Sequence, residues 1–211
     1  MYQPPHFREE RLDVQHALIR AHPLGMLVTV GGAGLVANPL PFVLDAATSP
    51  LGTLKAHLSR ANSQWRDFDP AQEALAIFQG VEAYITPSWY ETKRETGKVV
   101  PTWNYAVVQA YGRMRVIEDP AWLMRQISEM TGQQEAARPE PWSVGDAPAP
   151  FIAAQLKGIV GVEIEISRIE GKWKVSQNRP EADRRGVSAG LRALEGEASI
   201  RMADLVERRG V

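Results

Sequence analysis

The residues best suited to chemistry begin in a short alternating segment that ends in a donor-rich loop. The segment and loop contribute six polar side chains, Lys55, His57, Ser59, Arg60, Asn62 and Gln64. Such a set could bind an anion, with Arg60 supplying a bidentate fork. The alternative is a solvated strand face followed by an asparagine-mediated turn. The residues alone leave both interpretations open.

Two aromatic segments, residues 87–90 and 100–105, flank a charged stretch. Trp103 and Tyr105 are costly to expose, and Asn104 is costly to bury without a partner, so the second segment should pack into a crevice. Trp89 and Tyr90 could form a wall for a planar ligand, with residues 91–98 as a movable flap. The alternative is a hydrophobic strand end followed by a solvated loop.

A third polar run, residues 174–180, contains four consecutive donors, Ser176, Gln177, Asn178 and Arg179. They could contact a ligand or cap the helix that follows.

Other chemistries find less support. The glycine-rich run at residues 31–34 lacks the Gly-Lys-Ser/Thr of a phosphate loop, and a proline-bearing strand follows it rather than a helix. It is therefore predicted to be a hairpin turn. No metal-ligand spacing joins the histidines, and Gly-x-Ser-x-Gly is absent. The candidate proton donors are His57 and Tyr90.

Composition is that of a soluble globular protein. The 211 residues are 44% hydrophobic and 23% charged, with a formal net charge of −1, which gives no global attraction to nucleic acid or anionic membrane. There is no cysteine, so disulfides and thiol catalysis are excluded, and a reducing cytoplasm is the expected location. No signal peptide or membrane span is expected. The sequence beyond residue 180 contains six basic and six acidic residues, and this balance does not indicate a phosphate-binding stripe.

Periodicity and turn signals predict the elements that position these residues. Helices are expected over 9–21, 120–131 and 150–157 and again after 180, with Asp119 as an N-cap. Strands are expected over 24–30, 35–45, 53–59, 73–79, 81–86, 107–117, 159–169 and 172–177. Gly80 should separate two of them, and Glu170-Gly171 should turn a hairpin. Pro39 and Pro41 favour a sheet edge or a ligand-facing edge.

About eight strands with few helices between them predict a mainly β, antiparallel barrel with peripheral helices. On the third strand, Leu54, Ala56 and Leu58 should enter the barrel while the intervening polar residues face outward.

Several segments together resemble the PaiB family of FMN-binding split-barrel proteins, described as negative transcriptional regulators. The matching residues are Met1-Tyr2 with Pro4 to Phe7, the run from His57 to Asn62 with Gln64-Trp65, the run from Tyr84 to Tyr90, residues 100–105, and residues 174–180 with Asp183 and Gly186-Val187. They extend to about residue 191, and their order and spacing are more specific than any one of them.

The resemblance implies a six-stranded Greek-key split barrel, a homodimer, and FMN near the subunit interface. Residues 1–178 would form this domain, and residues 179–211 a helical extension packed on it. Lys55, His57 and Ser59 would face the cofactor cleft, with the FMN phosphate as the anion. The isoalloxazine would lie along the edge at residues 38–41, and residues from either subunit would close the site. The cofactor-binding residues expected are Asn38, Pro39, Leu40, Lys55, His57, Ser59, Arg60, Asn62, Gln64, Ser88, Trp89, Thr102, Trp103, Asn104, Gln177 and Arg179.

The resemblance leaves the function between two main classes. The first is a regulatory FMN-binding protein acting on DNA or through a protein partner. The second is a small FMN-dependent oxidoreductase of the flavin reductase kind, in which flavin supplies the chemistry and the protein supplies position and polarity. A haem-binding split barrel is a third and weaker alternative.

Overall fold

The computed structural model describes residues 1–209. Their strands are β1 (Arg8–Glu9), β2 (Leu24–Gly31), β3 (Gly34–Pro41), β4 (Val43–Asp45), β5 (Thr53–Ser59), β6 (Ala74–Ile85), β7 (Thr102–Gly112), β8 (Met114–Ile117), β9 (Ile159–Glu165) and β10 (Arg168–Lys174). Their helices are α1 (Leu12–Ala21), α2 (Gln64–Asp67), α3 (Glu91–Thr96), α4 (Pro120–Glu135), α5 (Ala149–Leu156), α6 (Glu181–Arg192) and α7 (Glu197–Arg208). The last two residues of the expected 179–211 extension lie outside the described residues.

The chain forms two compact units. Unit one comprises Met1–Leu18, Gln79–Val108 and the residues from Glu170 onward, and unit two comprises Ile19–Phe78 and Gln109–Ile169. Strands β6 and β7 therefore contribute residues to both. The expected boundary after residue 178 remains a prediction.

A four-stranded antiparallel sheet, in the order β4–β5–β9–β8, forms the centre of unit two. On β5, Leu54, Ala56 and Leu58 are buried, whereas the polar residues between them reach the other face. Val162 and Ile164 pair with Ala56 and Leu54 and are equally buried. The predicted alternation of β5 is thus confirmed, because one face of this sheet forms core and the other stays polar.

The hairpin of unit two joins β2 to β3 across the glycine-rich turn, as predicted. A Cβ on Gly31 would lie 1.5 Å from the Asp67 carbonyl oxygen, so only glycine allows this close approach. The inward residues of β2, Leu27 and Thr29, are buried. The outward face carries apolar residues that are exposed or half-buried, here called the apolar ribbon: Leu24, Met26, Val28, Val30, Leu35, Ala37 and Pro39. β3 ends the order β6–β2–β3, which agrees with the edge predicted from its prolines.

In unit one, β10 lies between β1 and β7, and β7 lies beside β6. Helices α6 and α7 follow β10, as expected from the sequence, and bury Val187, Leu191 and Met202. Arg192 of α6 pairs with Asp204 and Glu207 of α7. The helical pair is therefore held by an apolar core and by a charged rim.

Two glycine predictions were wrong. Gly80 lies inside the continuous strand β6, where an added Cβ would lie 3.2 Å from a Leu18 methyl carbon. Gly171 lies inside β10 opposite Glu9, and not at a turn. Strands β9 and β10 accordingly do not form the predicted hairpin, since β9 pairs with β5 and β8 while β10 pairs with β1. Both glycines serve close packing, which a sequence cannot distinguish from a turn.

The strand predicted over 107–117 is two strands, β7 and β8, and β7 begins five residues earlier than predicted, at Thr102. Most of the aromatic segment 100–105 is thus strand. The start of α4 was predicted correctly, because the Asp119 carboxylate accepts hydrogen bonds from the backbone N–H groups of Ala121 and Trp122.

Candidate functional site

A cavity of about 200 Å³ in unit one, here called the cation pocket, lies where β7 begins and β10 ends. Its polar lining comes from these two strands and the turn after β10: Thr102, Asn104, Lys174, Ser176, Asn178 and Arg179. Neighbouring strands thus bring together two sequence segments that were singled out separately, residues 100–105 and 174–180.

Asn104 and Ser176 fix the floor of the cation pocket. Asn104 is 1% exposed, and its amide donates to the Ser176 hydroxyl at 2.9 Å, which donates back to Oδ1 at 3.2 Å. Ser176 has a φ of 65°, an uncommon conformation for a residue other than glycine. The paired hydrogen bonds hold this turn, which ends β10 and leads the chain to Arg179.

The two cations of the pocket have no acidic partner. Lys174 donates to the Thr102 hydroxyl and, at 2.7 Å, to the Trp103 carbonyl oxygen. Arg179 lies with its guanidinium carbon 4.7 Å from the centre of the Tyr90 ring. Within residues 1–209, neither Lys174 nor Arg179 forms an ion pair with a carboxylate. Burial lowers the pKa of Lys174, and the nearby charges of Lys172 and Arg179 lower it further.

This arrangement favours an anionic ligand. An anion would offset the repulsion between like charges and accept charge-assisted hydrogen bonds from both cations. The sequence reasoning included Arg179 but missed Lys174 as a site residue. The signal was present, because Lys172 and Lys174 alternate along β10 and therefore share a face.

Tyr90 lies beside the cation pocket and is buried, with 1% of its surface exposed. In the described part of the chain, its phenol oxygen has no hydrogen-bond partner of acceptable geometry. Burial raises the pKa of Tyr90, and the positive charge of Arg179 opposes that increase. The phenol is thus a protonated donor with no acceptor in the described chain.

The remaining predicted residues of unit one have local partners. Ser88 accepts a hydrogen bond from Lys93 at 3.2 Å. The Trp89 ring fills the space where a Cβ on Gly190 would lie, 2.3 Å from its nearest ring atom. Gln177 accepts from the Val175 backbone at 2.8 Å, and its amide donates to the Trp173 carbonyl oxygen at 2.5 Å.

Trp103 differs from the rest of the segment because it points outward. It is 53% exposed and makes an edge-to-face contact with Tyr84, with 5.9 Å between the ring centres. The crevice expected for residues 100–105 therefore encloses Asn104 but leaves Trp103 available as an exposed aromatic surface.

The predicted site residues of unit two, from Lys55 to Gln64 and here called the β5 polar segment, have partners of their own. Lys55 donates to Asp45 at 2.6 Å, and this contact lowers the pKa of Asp45. Arg60 donates to Glu118 at 2.5 Å and to the carbonyl oxygens of Lys157 and Ile159. Both cations are thus already compensated by carboxylates.

The uncharged members of the β5 polar segment are also engaged. His57 Nδ1 lies 2.8 Å from Gln126 Oε1. Ser59 accepts from the Ala61 backbone, and Asn62 accepts from the Gln64 backbone, as expected of an asparagine turn.

The Gln64 side chain is buried and forms hydrogen bonds with the β2–β3 hairpin. It is 1% exposed, its amide donates to Leu27, Thr29 and Val36, and its Oε1 accepts from Asn38 at 2.9 Å. On β3, Leu40 is buried, whereas Pro39 belongs to the exposed apolar ribbon. As contacts to a cofactor, the residues of unit two remain predictions.

Among the described residues, no group of three His, Cys, Asp or Glu side chains is placed to hold a metal ion. None of their helices is long and apolar enough to cross a membrane.

Comparisons with known proteins identify the family of the chain. Residues 1–168 match the family described as "Putative FMN-binding domain". The chain is 35% identical over 245 aligned residues to an uncharacterized protein of Emericella nidulans, covering 100% of this chain and 98% of that protein. It is 30% identical over 207 residues to the protease synthase and sporulation protein PAI 2 of Bacillus subtilis, covering 98% of this chain and 97% of that protein.

Among solved structures, the flavocytochrome Anf3 from Azotobacter vinelandii has a similar fold, with a TM-score of 0.58. The match has 12% sequence identity and covers 79% of this chain and 69% of that one.

Proposed function

The chain belongs to the PaiB family of FMN-binding split-barrel proteins, and from this premise we propose that it binds FMN with the phosphate in the cation pocket. Its mainly β, antiparallel fold with peripheral helices is the split barrel implied by the family. The observation that carries the proposal is the pair of cations, Lys174 and Arg179, which have no carboxylate partner in residues 1–209.

The donors of the cation pocket fit a phosphate monoester. A phosphate offers several strong acceptor oxygens and a charge between −1 and −2. Arg179 can donate through its fork, and Lys174 can donate the ammonium hydrogen that Thr102 and Trp103 do not take. The pocket, at about 200 Å³, is large enough for a phosphate and small enough to enclose it.

The remaining parts of FMN would meet other groups. The exposed Trp103 and its neighbour Tyr84 offer an aromatic surface to the isoalloxazine. For the pyrimidine ring we retain the edge at residues 38–41, supplied by the second copy in a dimer. When bound, the flavin would supply the electron or hydride chemistry, and the protein would supply position, polarity and exclusion of water.

The proposal predicts that the phosphate contributes a large share of the affinity. Titration of the purified protein, followed by flavin fluorescence and the visible spectrum, should show FMN bound about tenfold or more tightly than riboflavin. Equal affinity for the two flavins would contradict a phosphate in the cation pocket. The absence of binding by either flavin would contradict the proposed function itself.

We propose that a second copy of the chain covers the apolar ribbon of unit two. Contiguous apolar surface of this kind marks an interaction site, and a homodimer buries the same face on both copies. Leu35, which is 75% exposed, is the most exposed large residue of the ribbon. Substitution Leu35→Lys should convert a dimer to a monomer in light-scattering measurements, whereas Leu194→Lys on another exposed leucine should not.

For the biological role we propose regulation that does not rest on direct, autonomous DNA binding. Three arginines of α6 and α7 form ion pairs with acidic residues: Arg185 with Glu181, Arg192 with Asp204 and Glu207, and Arg201 with Glu197. A helix that reads DNA needs uncompensated cations to contact phosphates. A mobility-shift assay with the gene's own upstream DNA at physiological salt should show no shift by the protein alone. A specific shift would contradict this proposal.

An FMN-dependent oxidoreductase is the second candidate, and Tyr90 is the observation that favours it. Its buried phenol has no acceptor in the described chain and stays protonated because burial raises its pKa. Such a group can donate a proton to a reduced ligand. Steady-state oxidation of NADH or NADPH with added FMN should then fall in Tyr90→Phe, while a flat trace with several acceptors would exclude this class. A haem titration without a Soret band would remove the third alternative.

A further inference from the structure

A second cleft, of about 450 Å³, lies in unit two between helix α4 and the polar face of the four-stranded sheet. Its sheet side carries a row of alternating charges on neighbouring strands. Lys55, Glu163 and Arg115 lie directly across from one another on β5, β9 and β8. Its helix side carries Arg125, Gln126 and Glu129 of α4. The size is typical of sites for small molecules.

Four charges on the sheet side form two compensated pairs. Lys55 pairs with Asp45 at 2.6 Å, and Arg115 pairs with Glu163. These two pairs are neutral, and Glu165 of β9 adds a negative charge to the sheet side, which disfavours binding of a strongly charged anion such as a phosphate monoester.

The lining of the cleft also includes uncompensated charges of both signs. Arg125, Glu129 and Glu165 line the cleft, and none of them has an ion-pair partner in the part of the chain that the structure describes. One cation near two anions suits a ligand that carries both a carboxylate and an ammonium group.

A buried amide with an unused hydrogen-bonding group lines the same cleft. Gln126 is 2% exposed, and its Oε1 lies 2.8 Å from His57 Nδ1, while Nε2 has no partner among the described residues. Exchanging the amide oxygen and nitrogen would leave the oxygen without a partner instead. A buried amide group without a partner is costly, so a ligand group at this position would be stabilised.

We propose that this cleft binds a small zwitterion of the free amino acid class. The ligand carboxylate would accept hydrogen bonds from Gln126 Nε2 and Arg125, and its ammonium group would lie against Glu129 and Glu165. The inference is independent of the FMN proposal, because its residues belong to a different polar cluster from the cation pocket.

Isothermal titration and thermal-shift measurements with the common amino acids test the proposal on the full-length protein. At least one amino acid should bind with a Kd below about 1 mM. Its N-acetyl and methyl ester derivatives, which lose the ammonium or the carboxylate, should bind at least about tenfold more weakly. Failure of every amino acid to bind, or undiminished binding of both derivatives, would overturn the inference.

Two variants locate the ligand. Arg125→Ala removes an exposed cation, and Gln126→Glu keeps an oxygen for His57 while removing the amide donor. Each should weaken amino acid binding about tenfold, while the exposed Arg20→Ala of α1 should leave it unchanged. Unaltered binding by both variants would place the ligand elsewhere. A matching loss of FMN affinity in both variants would assign the cleft to the cofactor and overturn the inference.

Discussion

The two polar clusters contain similar residue types but differ in how their charges are compensated. In the β5 polar segment, Lys55 and Arg60 each contact a carboxylate. In the cation pocket, Lys174 and Arg179 contact a hydroxyl, a carbonyl oxygen and an aromatic ring instead. A cation whose charge is already balanced stabilises the fold locally, whereas a cation without a counter-charge is available to a ligand. The difference favours the cation pocket as the anion site, although the β5 segment is richer in donors.

The strongest test of this difference removes the two positive charges from one cluster and then, in a separate variant, from the other. Lys174→Gln with Arg179→Gln should weaken FMN binding by about 4 kcal/mol, or roughly 1,000-fold, because two charge-assisted hydrogen bonds are lost. Lys55→Gln with Arg60→Gln serves as the mirrored control and should change FMN affinity little. The measurement is a fluorescence titration of both double variants. An equal or greater loss in the mirrored control would reverse the comparison.

The pH dependence of stability offers a second test of charge compensation. Unit one contains a carboxylate, Glu9, whose charge is compensated by arginines. Burial alone would raise the pKa of Glu9, but hydrogen bonds from Arg11 and Arg209 lower it from 4.5 to about 2. The folded pKa lies below the unfolded one, so Glu9 contributes stability above pH 4.5 and loses it as the pH falls toward 2. Because the Arg11 side chain is 65% exposed, solvent screening reduces the contribution at neutral pH to on the order of 1 to 2 kcal/mol.

Denaturant unfolding measured from pH 7 to pH 2 checks this expectation. Glu9→Gln should be less stable at neutral pH and should show a shallower loss of stability on acidification. The exposed neighbour Glu10→Gln is the matched control, since its partner Arg8 is also exposed. If the stability of Glu9→Gln falls with pH as steeply as that of the wild type, ionised Glu9 does not make the expected contribution.

Gln64 tests whether the amides of the β5 polar segment serve the fold. Gln64→Leu should lower the free energy of unfolding by about 2 kcal/mol, because Asn38 and three acceptors of the hairpin lose their partner. FMN affinity of the folded variant should not change. The exposed Gln155→Leu is the control in the same urea titration. If Gln64→Leu instead binds FMN more weakly at unchanged stability, Gln64 contacts the cofactor.

The sequence was sufficient for elements with strong local signals. The alternation of β5 and the cap at Asp119 follow from local periodicity and side-chain chemistry, and both were confirmed. Gly80 was predicted to separate two strands and Gly171 to form a turn, because the contacts that favour glycine there come from Leu18 and from Glu9, far away in sequence. Local rules do not encode such long-range contacts.

Charge pairing at the candidate site also depends on long-range contacts that the sequence does not reveal. A sequence indicates that Lys55 and Arg60 are cations, but it does not indicate that Asp45 and Glu118 lie against them. Lys174 shares a face of β10 with Lys172, but the sequence does not indicate that Thr102 and Arg179 lie near it, and so it was not predicted as a site residue. The sequence gives the position of each cation, but whether a carboxylate compensates its charge depends on the tertiary fold.

The smallest expected effect concerns the ion pair of Lys55 and Asp45 alone. Both side chains are partly exposed, at 18% and 23%, so Lys55→Met should change stability by about 1 kcal/mol or less. The hydrogen bond from Lys55 lowers the pKa of Asp45, so the pair stabilises the protein above the unfolded pKa of Asp45 and not in acid. The stability difference between wild type and Lys55→Met should therefore vanish as the pH falls, while Lys98→Met should show no such dependence. If Lys55→Met instead weakens FMN binding at constant stability, the lysine serves the ligand, and the contrast between the two clusters fails at the residue where compensation is clearest.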